Sequence, residues 1–178
     1  LRVSVVLPTW NRAAVLPRAL ASVLAQSYAN FELLVADDGS TDETSAVLDA
    51  AARADGRVRP LRCPHRGPSG ARNAALAQAT GDLVAYLDSD NEWDASYLLV
   101  MVNSLVAAPA AEAAYCGVEI IDGCAAQRYC RLVEYDRPRL LVRNFIDINV
   151  FVHRRSLYER LGGFDETLAT VEDWDLVI

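Results

Sequence analysis

Residues 2–26, RVSVVLPTWNRAAVLPRALASVLAQ, hold the pattern on which the fold turns. Arg2 to Pro8 reads as a short buried strand, and Ala13 to Gln26 then places Leu16, Leu20, Val23 and Leu24 at the spacing of one helix face. The alternation recurs outward from this unit. Strands are expected at Glu32 to Ala36, Arg57 to Arg62 and Leu83 to Leu87, and helices at Asp42 to Ala54, Ser69 to Ala79 and Ala95 to Val106. Four strand–helix pairs predict an α/β fold, a mostly parallel sheet with helices on both faces. After Pro109 the pattern changes to strand-like pieces at Ala114 to Ile121, Gln127 to Glu134 and Ile148 to His153, a short helix near Arg155 to Leu161, and a Gly162-Gly163 turn. With no linker or repeat between them, 1–108 and 109–178 read as two halves of one domain.

A length of 178 residues suits one domain, and 52% hydrophobic with 23% charged residues excludes disordered and low-complexity classes. All 17 basic residues are arginine, and 24 acids leave a net charge of −7. That balance argues against a nucleic-acid partner but not against a small anion, because a pocket needs only a few aimed arginines and a metal. The longest apolar stretches, Val3 to Pro8 and Leu98 to Ala108, fall short of the ~20 residues that span a bilayer, so no transmembrane segment is expected. The first residues alternate like a strand and lack a basic n-region, which we read as no signal peptide. Cys63, Cys116, Cys124 and Cys130 lack CxxC spacing and are too few for a disulfide scaffold. They are expected to be free, buried thiols in a reducing cytosol, the chain being cytoplasmic or at the cytoplasmic face of a membrane.

In parallel α/β sheets ligands bind at the carboxyl ends of the strands, and here those tips are polar: Pro8-Thr9-Trp10-Asn11-Arg12, Asp37-Asp38-Gly39-Ser40, His65-Arg66-Gly67 and Asp88-Ser89-Asp90-Asn91. Ser40 to Asp42 read as helix caps, whereas Asp37 and Asp38 sit on the tip itself, and Asp38 reads as functional. Asp88 and Asp90 flank one residue, a pattern able to hold a hard cation that keeps water and phosphate oxygens as its other ligands. Gly67-Pro68-Ser69-Gly70-Ala71-Arg72-Asn73 suits either an anion-binding helix start with Ser69 as cap, or an ordinary capped helix with Arg72 in solvent. His153 at a strand end reads as structural.

With these elements in place, the chain resembles the family 2 glycosyltransferases of GT-A fold. The resemblance runs from Val3 to Ile178 through VSVVLPTWNR, FELLVADDGSTDET, GPSGARNAAL, GDLVAYLDSDNEWDASYL, GGFDE and EDWD, in that order. It implies that 1–108 is a nucleotide-binding half and 109–178 an acceptor-side half. Pro8, Thr9 and Asn11 would line the base and ribose site and Asp38 would contact the base. Asp88 would reach the ribose side and also serve the metal, Asp90 would ligate Mg²⁺ or Mn²⁺ on the diphosphate, and Arg72 with Arg66 would complete the site. Ala75 and Asn91 depart from the family's usual Gly and Asp; Asn91 removes a third carboxylate for the metal.

The resemblance implies that Asp173 is the general base of a single inverting displacement, with Glu172 and Trp174 on the acceptor side. A carboxylate crowded by Glu172 and Asp175 and shielded by Trp174 should be more basic than a free one, although an acidic first turn of a helix explains Glu172 and Asp175 equally well. The helix these residues open has little more than a turn before Ile178, so the acceptor-side half is expected to be cut short. The implied partners are a nucleotide-diphospho-sugar donor, UDP-sugar favoured, and an acceptor glycan, lipid or protein. A non-catalytic binding domain of the same fold is the alternative. A nucleotidyltransferase would want a Gly-rich basic loop after the first strand, which PTWNR is not.

Overall fold

The computed structural model describes residues 1–122 and 127–168. Alternation of apolar strand and amphipathic helix gives β1 (Val3–Thr9), α1 (Leu16–Leu24), β2 (Phe31–Asp37), α2 (Thr44–Ala54), β3 (Val58–Arg62), α3 (Gly67–Leu76), β4 (Leu83–Tyr86) and α4 (Tyr97–Ala107). The second half supplies β5 (Ala113–Tyr115), β6 (Val118–Asp122), β7 (Gln127–Arg131), α5 (Arg137–Leu140), β8 (Phe151–Arg154) and α6 (Arg155–Leu161). The main sheet runs β3-β2-β1-β4-β8-β5, and β6 pairs with β7 apart from it. The strands from β3 to β4 are parallel, and β8 lies antiparallel to both β4 and β5.

β1 and β2 are buried along their whole length, so their apolar residues divide by parity between two cores. Val3, Val5, Leu7, Leu33 and Val35 face α1, α2 and α4 through Leu16, Leu20, Leu48, Leu98 and Met101. Val6, Leu34, Val84 and Tyr86 face α3 and the stretch Phe145–Ile148. In the register of the parallel strands Thr9 lies beside Asp37, and Leu87 donates its amide to the Val6 carbonyl (3.1 Å), so the polar tips finish level at one edge of the sheet. At the opposite edge Glu32, 1% exposed, accepts from Ser4 Oγ (2.7 Å), Thr80 N (2.8 Å), Thr80 Oγ1 (2.8 Å) and Arg59 Nη1 (2.5 Å). Burial alone would raise its pKa, but these donors prevail and hold it down at about 2.

Several sequence expectations change in detail. The strand expected at Ala114 to Ile121 is two: β5 extends the main sheet, and after Gly117 β6 leaves it to pair with β7. The strand expected from Ile148 begins at Phe151, because Asp147 accepts the Asn149 amide (3.0 Å) and caps a 3-10 turn over Ile148–Val150. α1 starts at Leu16, after a turn in which the Arg12 carbonyl accepts the amides of Val15 and Leu16. Ser69 does not cap α3, which begins two residues earlier and buries it. Nor does Ser40 cap α2, whose first amide is met by Asp42 Oδ1 (3.0 Å). Cys63, Cys116 and Cys130 are free as expected but not buried: the first two are half-buried and Cys130 is exposed, since β7 belongs to an outlying hairpin. Cys124 lies outside the described residues.

Candidate functional site

The strand tips enclose a cleft of about 710 Å³ lined by residues from Pro8 to Arg12, by Asp38, His65, Gly67, Pro68, Ala71 and Arg72, and by Asp88 to Asp90. On one side of it the loops after β1 and β2 clasp each other. Asn11, held in the left-handed region at φ 50°, accepts the Thr41 amide with Oδ1 (2.8 Å), while its own amide donates to Ser40 Oγ (2.8 Å). The Asn11 side-chain carbonyl is thus already engaged by the protein. Beside it the Thr9 hydroxyl is buried with no hydrogen-bond partner among the described residues.

Asp38 comes off β2 and reaches across to the start of α3, where its two oxygens accept the amides of Arg66 (2.7 Å) and Gly67 (2.9 Å). It supplies from a neighbouring strand the cap that the helix lacks in its own sequence. His65 Nδ1 lies 2.8 Å from Asp38 Oδ2, and the His65 ring stacks on Trp10 at 4.5 Å between centroids. Cys63 lies behind this group; its thiol pKa is raised by burial and then by the charges of Asp38 and Asp37.

Asp88 is held from two elements. Arg72, 4% exposed, donates to Oδ1 (2.7 Å), and its guanidinium lies 5.2 Å from the Phe164 ring centroid. Asn149 donates to Oδ2 (3.2 Å) and accepts the Asp88 amide (2.6 Å). Asn149 is itself fixed by Asp147 Oδ1 (2.9 Å), and its carbonyl accepts Trp93 Nε1 (2.6 Å). Asp90, two residues on, is half-exposed, with Arg12 Nη2 at 3.6 Å. Among the described residues no three His, Cys, Asp or Glu side chains assemble as a metal cage.

Of the residues singled out in the sequence, Pro8, Thr9, Asn11, Asp38, Arg72, Asp88 and Asp90 line this cleft. Arg66 does not: its guanidinium pairs with Glu166 (2.7 Å), because that acid is brought over by the clasp of α3 on the GGFDE turn. In that clasp Asn73 accepts the Phe164 amide (2.9 Å) and donates to the Phe164 carbonyl (2.9 Å) and to Glu166 Oε1 (3.0 Å). Glu172, Asp173 and Trp174 lie outside the described residues. His153 is structural, as read: it is buried against the Tyr86 hydroxyl (2.8 Å), and that burial lowers its pKa. The sequence reading missed His65, Arg12 and Asn149. Only the first two carried a signal, both being strand-tip residues.

Comparison with known proteins gives one answer. The description Glycosyl transferase family 2 matches residues 4–160. A UDP-Glc:alpha-D-GlcNAc-diphosphoundecaprenol beta-1,3-glucosyltransferase of Escherichia coli is 40% identical over 106 residues, 58% of this chain and 41% of that protein. The mannosyltransferase PcManGT of Pyrobaculum calidifontis, solved with GDP-Man and Mn²⁺, superposes with a TM-score of 0.74 at 26% identity over 98% of this chain and 50% of that one. S. aureus TarS 1-349 in complex with UDP-GlcNAc reaches 0.79 at 22% identity, over 99% of this chain and 52% of that one, a likeness of fold. The chain spans 29% and 41% of the lengths of two of the curated relatives it matches. The match over residues 4–160 covers most of the chain and includes every strand tip that lines the cleft, so the chain belongs to glycosyl transferase family 2.

Proposed function

We propose that the cleft is the donor site of an inverting glycosyltransferase that takes a nucleotide-diphospho-sugar and passes the sugar to an acceptor hydroxyl. The observation that supports this most is Asp88, pinned by Arg72 and Asn149 on the cleft wall, two residues from the open carboxylate of Asp90. Thr9, Trp10 and Asp38 offer a hydroxyl, a ring face and a carboxylate edge to a nucleoside. The names of two relatives, from E. coli and Campylobacter jejuni, give diphosphoundecaprenol-linked acceptors, and the former a UDP-Glc donor. On that ground a UDP-sugar and a lipid-linked acceptor are the favoured pair, with the reaction at the cytoplasmic face of a membrane. No helix among the described residues is long and apolar enough to cross one.

The donor set fits Mg²⁺ or Mn²⁺, which needs only one or two carboxylates when phosphates and water complete its shell. Asp90 is free to be the principal ligand, since its one described contact is the 3.6 Å approach of Arg12. Asp88 has both oxygens in hydrogen bonds and fewer lone pairs left for an ion. The cation would offset the charge of the departing diphosphate. Arg72 holds the Asp88 carboxylate in place, and Asp173, with Glu172 and Trp174 beside it, is the proposed base for the acceptor hydroxyl.

A thermal-shift series with UDP, GDP, dTDP and CDP, each with and without Mn²⁺, tests the reading. At ~100-fold excess over Kd a ligand adds about 2.7 kcal/mol. The expected result is a metal-dependent shift for one nucleotide that Asp90→Ala removes. Equal shifts in both proteins with and without Mn²⁺ would overturn the metal assignment, and no shift with any nucleotide would overturn the donor site.

A further inference from the structure

Outside the cleft, the chemistry of the surface concentrates on one segment. Among the described residues, half of the exposed large apolar side chains fall between residues 121 and 142, and the stretch Leu132–Arg143 holds Leu132, Tyr135, Leu141 and Val142, the last 80% exposed. The same region reverses the charge of the protein. Residues 128–143 carry five arginines against two acids in a chain whose net charge is −7. Arg137, Arg139 and Arg143 are exposed, and no ion pair among the described residues engages them. The segment is nonetheless anchored: Leu140 is buried, the Val133 carbonyl accepts the Tyr115 hydroxyl (2.6 Å), and Asp136 accepts the Arg139 amide (3.2 Å).

We propose that Leu132–Arg143 is a membrane-docking surface whose occupant is a bilayer bearing anionic headgroups. Apolar side chains with an aromatic and uncompensated arginines on one short anchored element are the composition that enters the headgroup layer, the apolar groups supplying burial and the cations the attraction. A symmetric contact with a second copy would set this basic patch against itself, at a cost in like-charge repulsion. Docking here also orients the cleft. Arg143 is six residues from Asn149, which holds Asp88, and six residues span at most about 20 Å. Docking would therefore place the Asn149 backbone within about 20 Å of the arginine that meets the headgroups. The inference rests on surface chemistry and stands apart from the transferase reading, whose test is nucleotide binding.

The experiment is co-sedimentation of the chain with vesicles of phosphatidylcholine alone and with a third phosphatidylglycerol. Binding is expected only with the anionic lipid, weakening as salt rises. At ~1 kcal/mol for each arginine near the surface, the triple change Arg137→Glu, Arg139→Glu, Arg143→Glu should weaken it by about 100-fold or more. Leu141→Ser with Val142→Ser should weaken it at constant charge. Arg53→Glu, on the exposed face of α2, should leave it within about twofold, and unchanged melting curves would exclude misfolding. Three results would overturn the proposal: no binding to anionic vesicles at low salt, an equal loss in Arg53→Glu, or a concentration-dependent dimer that the Leu141/Val142 variant dissolves.

Discussion

Asn149→Ala tests whether the cleft is held from the second half of the chain. The change removes three side-chain hydrogen bonds: to Asp88 Oδ2 (3.2 Å), from the Asp88 amide (2.6 Å) and to Asp147 Oδ1 (2.9 Å). The Asn149 backbone bonds to Asp147 and Trp93 survive. Two of the lost bonds end on carboxylates, at ~1.5–3 kcal/mol each, but water can re-solvate the partly open Asp88 and Asp147. The Asp88 amide is left without its acceptor, at ~1–3 kcal/mol. A net loss of about 3 kcal/mol follows, or a fall in Tm of roughly 6–12 °C for a domain of this size. Because Asp88 is then fixed by Arg72 alone, metal-dependent nucleotide affinity should also fall by about tenfold. Calorimetry reads the first quantity and titration with nucleotide and Mn²⁺ the second. Asn149→Asp should be worse than alanine for affinity, since it sets a second carboxylate against Asp88. If Asn149→Ala melts within 2 °C of wild type and binds nucleotide within twofold, the bridge does not position the cleft.

Three further outcomes are expected. The Glu32 carboxyl titrates at about 2 in the folded chain against 4.5 when free, so its contribution is complete above about pH 4.5 and drains away as pH falls toward 2. Wild type should lose about 3 kcal/mol more than Glu32→Gln across that window, measured by urea titration at each pH. Gly163→Ala would put a Cβ 2.2 Å from Asn73 Oδ1 and so force open the clasp on α3. Tm should fall by several degrees with nucleotide Kd changed less than threefold, and an unchanged Tm would deny the clasp any weight. In a Cys124→Ser background, Cys130 should react with a thiol reagent well before Cys63, whose thiol is less acidic through burial and the nearby Asp38 and Asp37.

The parallel half of the fold was legible because its information is local. Buried strands read as apolar runs, helices repeat every three to four residues, and the strand tips must hold the polar residues, so Thr9, Asp38, Asp88 and Asp90 could be assigned to one cleft before any coordinates. What escaped are the long-range hydrogen bonds. Asp38 caps α3 from 28 positions away, while the local candidate Ser69 is buried inside the helix. Asn149, 61 positions from Asp88, sits in an Ile-Asn-Val run that looks like strand until Asp147 is recognised as the cap of a turn.

Arg66 shows the same limit of local reading in reverse. The resemblance assigns it to the nucleotide site, but the distant GGFDE turn brings Glu166 within 2.7 Å of its guanidinium, and it does not line the cleft. An exposed pair of this kind contributes little on its own, ~0–1 kcal/mol. The pair sits next to the Asn73 clasp, however, so α3 carries Arg72 at the cleft on one side and holds the GGFDE turn on the other. One helix thus joins the cleft to the second half of the chain through hydrogen bonds spanning about ninety residues, which no local pattern encodes.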